Sequence, residues 1–151
     1  MRRLALALAA ALALVGCGPD SLGPSPMGFE ADDVTSMDLY MYKAGGESAT
    51  HVTVEDRHYI DLWTEHYNTA ELEPLTDDYR DLSIGDVTGV RFHLEDGSTF
   101  ERSHVFFGPE AVFIDGAGEP LGVAPMSSMG TQPSEGAQQV DVSDAPPVSQ
   151  G

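Results

Sequence analysis

"VTGVRFHLEDGSTFERSHVFF", residues 87–107, decides the fold class. Two runs flank the pair Asp96-Gly97. In the first, Val90, Phe92 and Leu94 alternate with Arg91, His93 and Glu95. A period of two is the mark of a strand with one buried face. An Asp-Gly pair between alternating runs is a strong hairpin signal, because such turns need residues at ease with positive φ. The two runs are therefore read as adjacent antiparallel strands, with Phe100 of the return run packing beside Val90, Phe92 and Leu94.

Upstream, the period changes. In "DRHYIDLWTEHYN", residues 56–68, Tyr59, Ile60, Trp63 and Tyr67 recur at helical spacing, with Leu62 beside them. Asp56 is a suitable N-cap. The spacing predicts a helix over 57–69 whose aromatic face covers a sheet, with Trp63 as the main anchor. Further upstream, "VTSMDLYMY" (34–42) alternates again. Met37, Leu39 and Met41 share one face; Ser36, Asp38, Tyr40 and Tyr42 share the other. "KAGGES" turns the chain, and "ATHVTVE" (49–55) returns with Val52 and Val54 inward and His51 and Thr53 outward. Between helix and hairpin, Pro74 rules out a helix through the middle of the polar stretch 70–86. Downstream, "AVFIDGAGEPLGVA" (111–124) reads as a strand, a Gly-rich turn and a short last strand. The expected fold class is α+β: one helix packed on an antiparallel sheet of about four to six strands, spanning 34–125. The Pro- and Gly-rich residues 17–33 read as a flexible tether. Residues 126–151, poor in apolar side chains, read as a disordered tail.

Composition narrows the partners. The 151 residues carry 25 acidic and 7 basic side chains, a net charge of −18. Such a surface repels nucleic acid and anionic lipid, so neither is an expected partner. Lys43 is the only lysine and Cys17 the only cysteine. No internal disulfide can form, and the core depends on packing.

The N-terminus explains the cysteine. Arg2 and Arg3 precede an unbroken apolar run, Leu4 to Val15. That is shorter than the ~20 residues a membrane-spanning helix needs, and it fits the apolar region of an export signal. The ending Leu14-Val15-Gly16-Cys17 resembles the lipobox of bacterial lipoproteins. The resemblance covers residues 1–17. It implies that the Cys17 thiol is alkylated with a diacylglyceryl group and that signal peptidase II cuts after Gly16. Residues 1–16 are then a signal peptide, and Cys17 is the acylated N-terminus. The expected location is the cell membrane, lipid-anchored and facing outside the cytoplasm, or an outer membrane where the cell has two.

No constellation for catalysis stands out. The histidines are His51, His58, His66, His93 and His104. His58, Asp61 and Glu65 fall on one helix face, but they lack the paired histidines, four apart, of a zinc protease helix. Asp115 to Glu119, and Asp77, Asp78 and Asp81, read as turns rather than calcium loops. Ser103 and His104 are strand neighbours and point to opposite faces. No catalytic residue, metal site or cofactor is expected. Tyr40 and Tyr42, on the polar side of their strand, and Tyr79, in the connection, are candidate partner-binding residues. The expected protein is a monomeric lipoprotein whose small domain binds an envelope protein or component without catalysis. The alternative is binding of a cation or small solute by the acidic surface and the His58, Asp61, Glu65 face.

Overall fold

The computed structural model describes residues 21–79, 81–126 and 132–149. Cys17 and the lipobox lie outside the described residues. The elements run β1 Gly23–Pro24, β2 Val34–Lys43, β3 Ser48–Val54, α1 Arg57–Thr69, β4 Glu71–Leu72, β5 Asp86–Leu94, β6 Thr99–Phe107, β7 Glu110–Ile114, β8 Pro120–Pro125 and β9 Gln138–Asp141. Seven strands form one antiparallel sheet in the order β8-β7-β6-β5-β2-β3-β9, and β1 pairs with β4 in a separate ribbon. The α+β class holds. The main sheet, at seven strands, is wider than the expected four to six.

The hairpin at 87–107 centres this sheet. Phe92 faces Phe100 across the β5–β6 pair, and Val90 faces Arg102. At the turn Gly97 takes φ +84°, and the Asp96 side chain accepts from the Ser98 N–H at 2.8 Å. On its other edge β5 pairs with β2, which sets Met37 opposite Phe92 and Leu39 opposite Val90. Helix α1 starts where Asp56 caps it, its carboxylate accepting from the His58 N–H at 2.9 Å. Its buried residues Ile60, Trp63 and Tyr67 pack on Met37, Leu39, Val52, Val54, Val90, Phe92 and Phe113. This is the larger core, and its ring contacts are mostly edge-on, as between Tyr67 and Phe92.

Among the described residues the domain reaches beyond 34–125 at both ends: 21–33 and 132–149 pack on it, within stretches that read from sequence as a tether (17–33) and a disordered tail (126–151). On the N-terminal side, the Leu22 N–H donates to Leu72 O at 2.8 Å and Met27 is buried in the larger core. Long polar side chains hold this segment. Asn68 accepts from Met27 N–H and donates to Phe29 O; Arg57 donates to Ala31 O and Val34 O; Arg102 donates to Ser25 O. On the C-terminal side, β9 pairs with β3 over Ser48 to His51. Both segments are held largely through backbone groups, which leave no trace in hydropathy.

The second sheet face has its own cluster of Leu82, Val87, Val105, Val112 and Ile114. The connection before β5 and the chain after β9 cover it, through Leu75, Tyr79 and Val148. Among the described residues, no helix is long and apolar enough to cross a membrane.

Trp63 is 1% exposed at the centre of the helix–sheet contact. Trp63→Ala is expected to lower the unfolding free energy by about 3–5 kcal/mol, through lost transfer energy and the cavity left behind. Denaturant titration should show the midpoint falling at unchanged slope.

Candidate functional site

The second face of the sheet gathers most of the chemistry-bearing side chains. Alternation along β2 puts Asp38, Tyr40 and Tyr42 on this face. Pairing then extends each position into a row across the sheet. Asp38 lies between Thr53 and Arg91, with Glu101 beyond; Tyr40 lies between His51 and Gly89, with Ser103 beyond.

Asp38 is the centre of a polar cluster. Its Oδ1 accepts from Thr53 Oγ1 at 2.7 Å and meets His51 Nε2 at 2.9 Å; its Oδ2 meets His93 Nε2 at 2.7 Å. Burial would raise the carboxyl pKa, but hydrogen bonds from His93, Thr53 and His51 outweigh it and hold Asp38 below the ordinary value. An ionised carboxylate only accepts, so both imidazoles present an N–H at Nε2. Both oxygens of Asp38 are thus engaged by protein donors.

Beside this cluster, Tyr40 stacks on His51 with centroids 4.8 Å apart. Arg91 donates to the Tyr40 hydroxyl at 2.8 Å and pairs with Glu101 at 2.7 Å. Tyr42 donates to Pro146 O at 2.9 Å, and Arg91 donates to Asp144 O at 3.0 Å. Burial raises the phenol of Tyr40 and pushes that of Tyr42 up to about 12.

The three tyrosines singled out from sequence therefore sit differently from one another. Tyr40, on the polar side of its strand, is 4% exposed: His51 stacks on its ring and the Arg91 guanidinium stands 5.3 Å from the ring centroid, itself bonded to Asp144 O of the chain after β9. Tyr42 is half-buried under the same segment. Tyr79 is also half-buried: its hydroxyl donates to Glu110 and its ring meets Phe107 edge-on. Tyr40 and Tyr42 share a face along β2, and Tyr42 and Tyr79 both pack against the cluster of Leu82, Val87, Val105, Val112 and Ile114 on that face.

On the helix face, His104 is fully buried, with Nδ1 bonded to the Tyr67 hydroxyl at 2.8 Å and its ring stacked on Trp63. Burial, helped by neighbouring His66, drives its pKa down to about 3. Ser103 and His104 do point to opposite faces: Ser103 lies near the position a Gly89 side chain would fill. Asp61 of the His58 face is bonded to Arg57 at 3.0 Å. Among the described residues, no three His, Cys, Asp or Glu side chains are placed to hold a metal ion. The Asp115 carboxylate accepts from the N–H groups of Ala117 and Glu119, as an Asx turn does. Compared with protein-family models, curated proteins and solved structures, the chain matches none of them.

His104 generates a pH test. The folded protein keeps it neutral down to about pH 3, while the unfolded chain takes up its proton near pH 6.5. Between those values the unfolded state binds the extra proton, so stability falls as pH falls. The expected slope from this group is about 1.4 kcal/mol per pH unit. His66, whose pKa burial also lowers, adds to it with the same sign. His104→Gln is expected to reduce the slope between pH 6 and 4 by about one proton, measured by urea unfolding across pH.

Proposed function

We propose that this chain is a lipoprotein of the bacterial cell envelope, anchored through a lipid on Cys17, whose domain binds a protein or envelope component without catalysing a reaction. The observation that carries the reading is a sequence order: Arg2-Arg3, an apolar run, then Leu14-Val15-Gly16-Cys17, directly ahead of a folded domain. Cys17 is the only cysteine of the chain, so no internal disulfide uses it. The location follows from the same motif, on the outer side of the membrane that holds the lipid.

The early start of the fold gives this reading a geometric consequence. Leu22, five residues after Cys17, is already bonded into the domain. Five residues reach at most about 17 Å even when fully extended. The domain is then held close to the lipid surface, with the β1–β4 ribbon nearest to it. Leu22 is 57% exposed there, an apolar side chain beside the anchor. The strong negative charge opposes sticking to anionic headgroups, so the lipid and not the protein surface supplies the attachment. Tyr40, Tyr42 and Tyr79 are the proposed contact residues for the partner.

Mass spectrometry of the membrane fraction tests the anchor. Wild-type protein is expected to begin at Cys17 and to carry the mass of two acyl chains on glycerol, while Cys17→Ser carries none. A wild-type N-terminus without lipid would refute it. Binding is tested by crosslinking in cells with carboxylate- and tyrosine-reactive reagents, because Lys43 is the only lysine. A recurrent crosslinked partner is expected; its absence above background overturns the binding role.

A further inference from the structure

After β9 the chain does not leave the domain. It passes through a 3-10 turn at Val142–Asp144 and crosses the second face of the sheet. The Val142 N–H donates to Glu47 O at 3.1 Å, and the Ser149 N–H donates to Gly118 O at 2.8 Å on the far side. Between these points the sheet holds the crossing segment by its main chain. Arg91 donates to Asp144 O and Tyr42 donates to Pro146 O. Two glycines make the floor. A Cβ on Gly89 would stand 2.9 Å from Pro146 Cδ, and one on Gly118 would stand 3.0 Å from Ser149 N. The face is therefore a groove with a seat for a proline ring, flanked by an arginine and tyrosines.

Nothing in these contacts is particular to this tail. Side-chain donors reading carbonyls, and a bare floor under a proline, fit any extended proline-containing segment. Aromatic-lined grooves take such segments well because they lose little entropy on docking. The tail buries little of itself. Of residues 141–149 only Ala145 and Pro146 are buried. Beside it a cleft of about 210 Å³ stays open, lined by Tyr42, Ala44, Gly45, Val142, Pro146 and Val148. A segment with a larger apolar side chain near its proline would fill that space.

We propose that this groove is the recognition site of the binding module, that its ligand is an extended, proline-containing segment of a partner protein with an apolar residue larger than valine beside the proline, and that residues 144–149 occupy it as a displaceable plug. The inference rests on the binding role proposed above and names its partner class. It also gives a role to the hydrogen bond by which Tyr42 holds the tail in the free protein. Tethering favours the plug over a free segment, so the partner must bind more tightly than the tail does.

The probe is a fluorescent peptide of residues 141–151, DVSDAPPVSQG, titrated against the full chain. In Pro146→Asp the plug loses its ring seat and the groove is free. This variant is expected to bind the peptide at least about ten-fold more tightly than wild type. Adding Gly89→Val should abolish that gain, and Tyr42→Phe should weaken it. The same peptide with leucine for Val148 should bind more tightly than the native sequence. Equal binding to wild type and Pro146→Asp, or no binding to a Pro146→Asp chain with native near-UV circular dichroism, overturns the proposal. Should that variant fail to fold, hydrogen exchange on wild type decides. The amides of Val142 and Ser149 are expected to exchange at least about 100-fold faster than the central amides of β5 and β6; equal protection overturns the plug. A cellular partner crosslinked at another surface, with no peptide binding, would remove the groove and leave the binding role standing.

Discussion

A sheet with apolar residues on both faces needs two covers, and this chain has one α-helix among its described residues to supply them. The seven strands span about 29 Å across at ordinary strand spacing. Helix α1, thirteen residues, is about 20 Å long and about 10 Å wide. It covers the centre of one face, where Trp63, Ile60 and Tyr67 meet Met37, Leu39 and Phe92. The rest of the architecture answers the area left over. The N-terminal segment brings Met27 to the helix side, the stretch after β4 brings Leu75 and Leu82 to the other, and the chain after β9 closes what remains.

These covers differ in how they are held. The helix is held by aromatic burial. The N-terminal segment is pinned by Asn68, Arg57 and Arg102, whose donors reach backbone carbonyls. The C-terminal segment has β9 at the sheet edge and then a few hydrogen bonds across an open face. Helix α1 buries Ile60, Trp63, Thr64 and Tyr67, whereas the N-terminal segment buries Met27 and the C-terminal segment Ala145 and Pro146, so both terminal covers should open more readily than the helix. The C-terminal cover crosses Tyr42 and Arg91, which bond its carbonyls at Pro146 and Asp144.

The core also contains polar groups that a purely apolar design would omit. His104 and Tyr67 pair beneath Trp63, and the second imidazole nitrogen of His104 has no protein partner. Thr64 Oγ1, His66 Nε2 and Arg102 Nε are in the same position. Such groups cost stability when buried without partners. The two imidazoles, His66 and His104, make the helix–sheet contact sensitive to acid, while Asp38 on the other face is held ionised by its three donors.

The sequence by itself determined the local elements. Period two in 34–42, 49–55 and 87–107 and helical spacing in 57–69 are set by which side chains must face a core, and core-facing apolar residues are visible one by one. Asp56 and Asp96-Gly97 mark boundaries because capping and positive φ are local properties. The lipobox reading is equally local. Only the tertiary structure decided which strands are neighbours, and with that the site. Asp38, His51 and His93 are 13 and 42 residues apart along the chain, and they meet because β2 lies between β3 and β5. Alternation puts Tyr40 on the polar face but does not show that His51 and Arg91 close over its ring. The described parts of the terminal segments read as unstructured because backbone hydrogen bonds and donors more than twenty residues away hold them, and neither appears in composition.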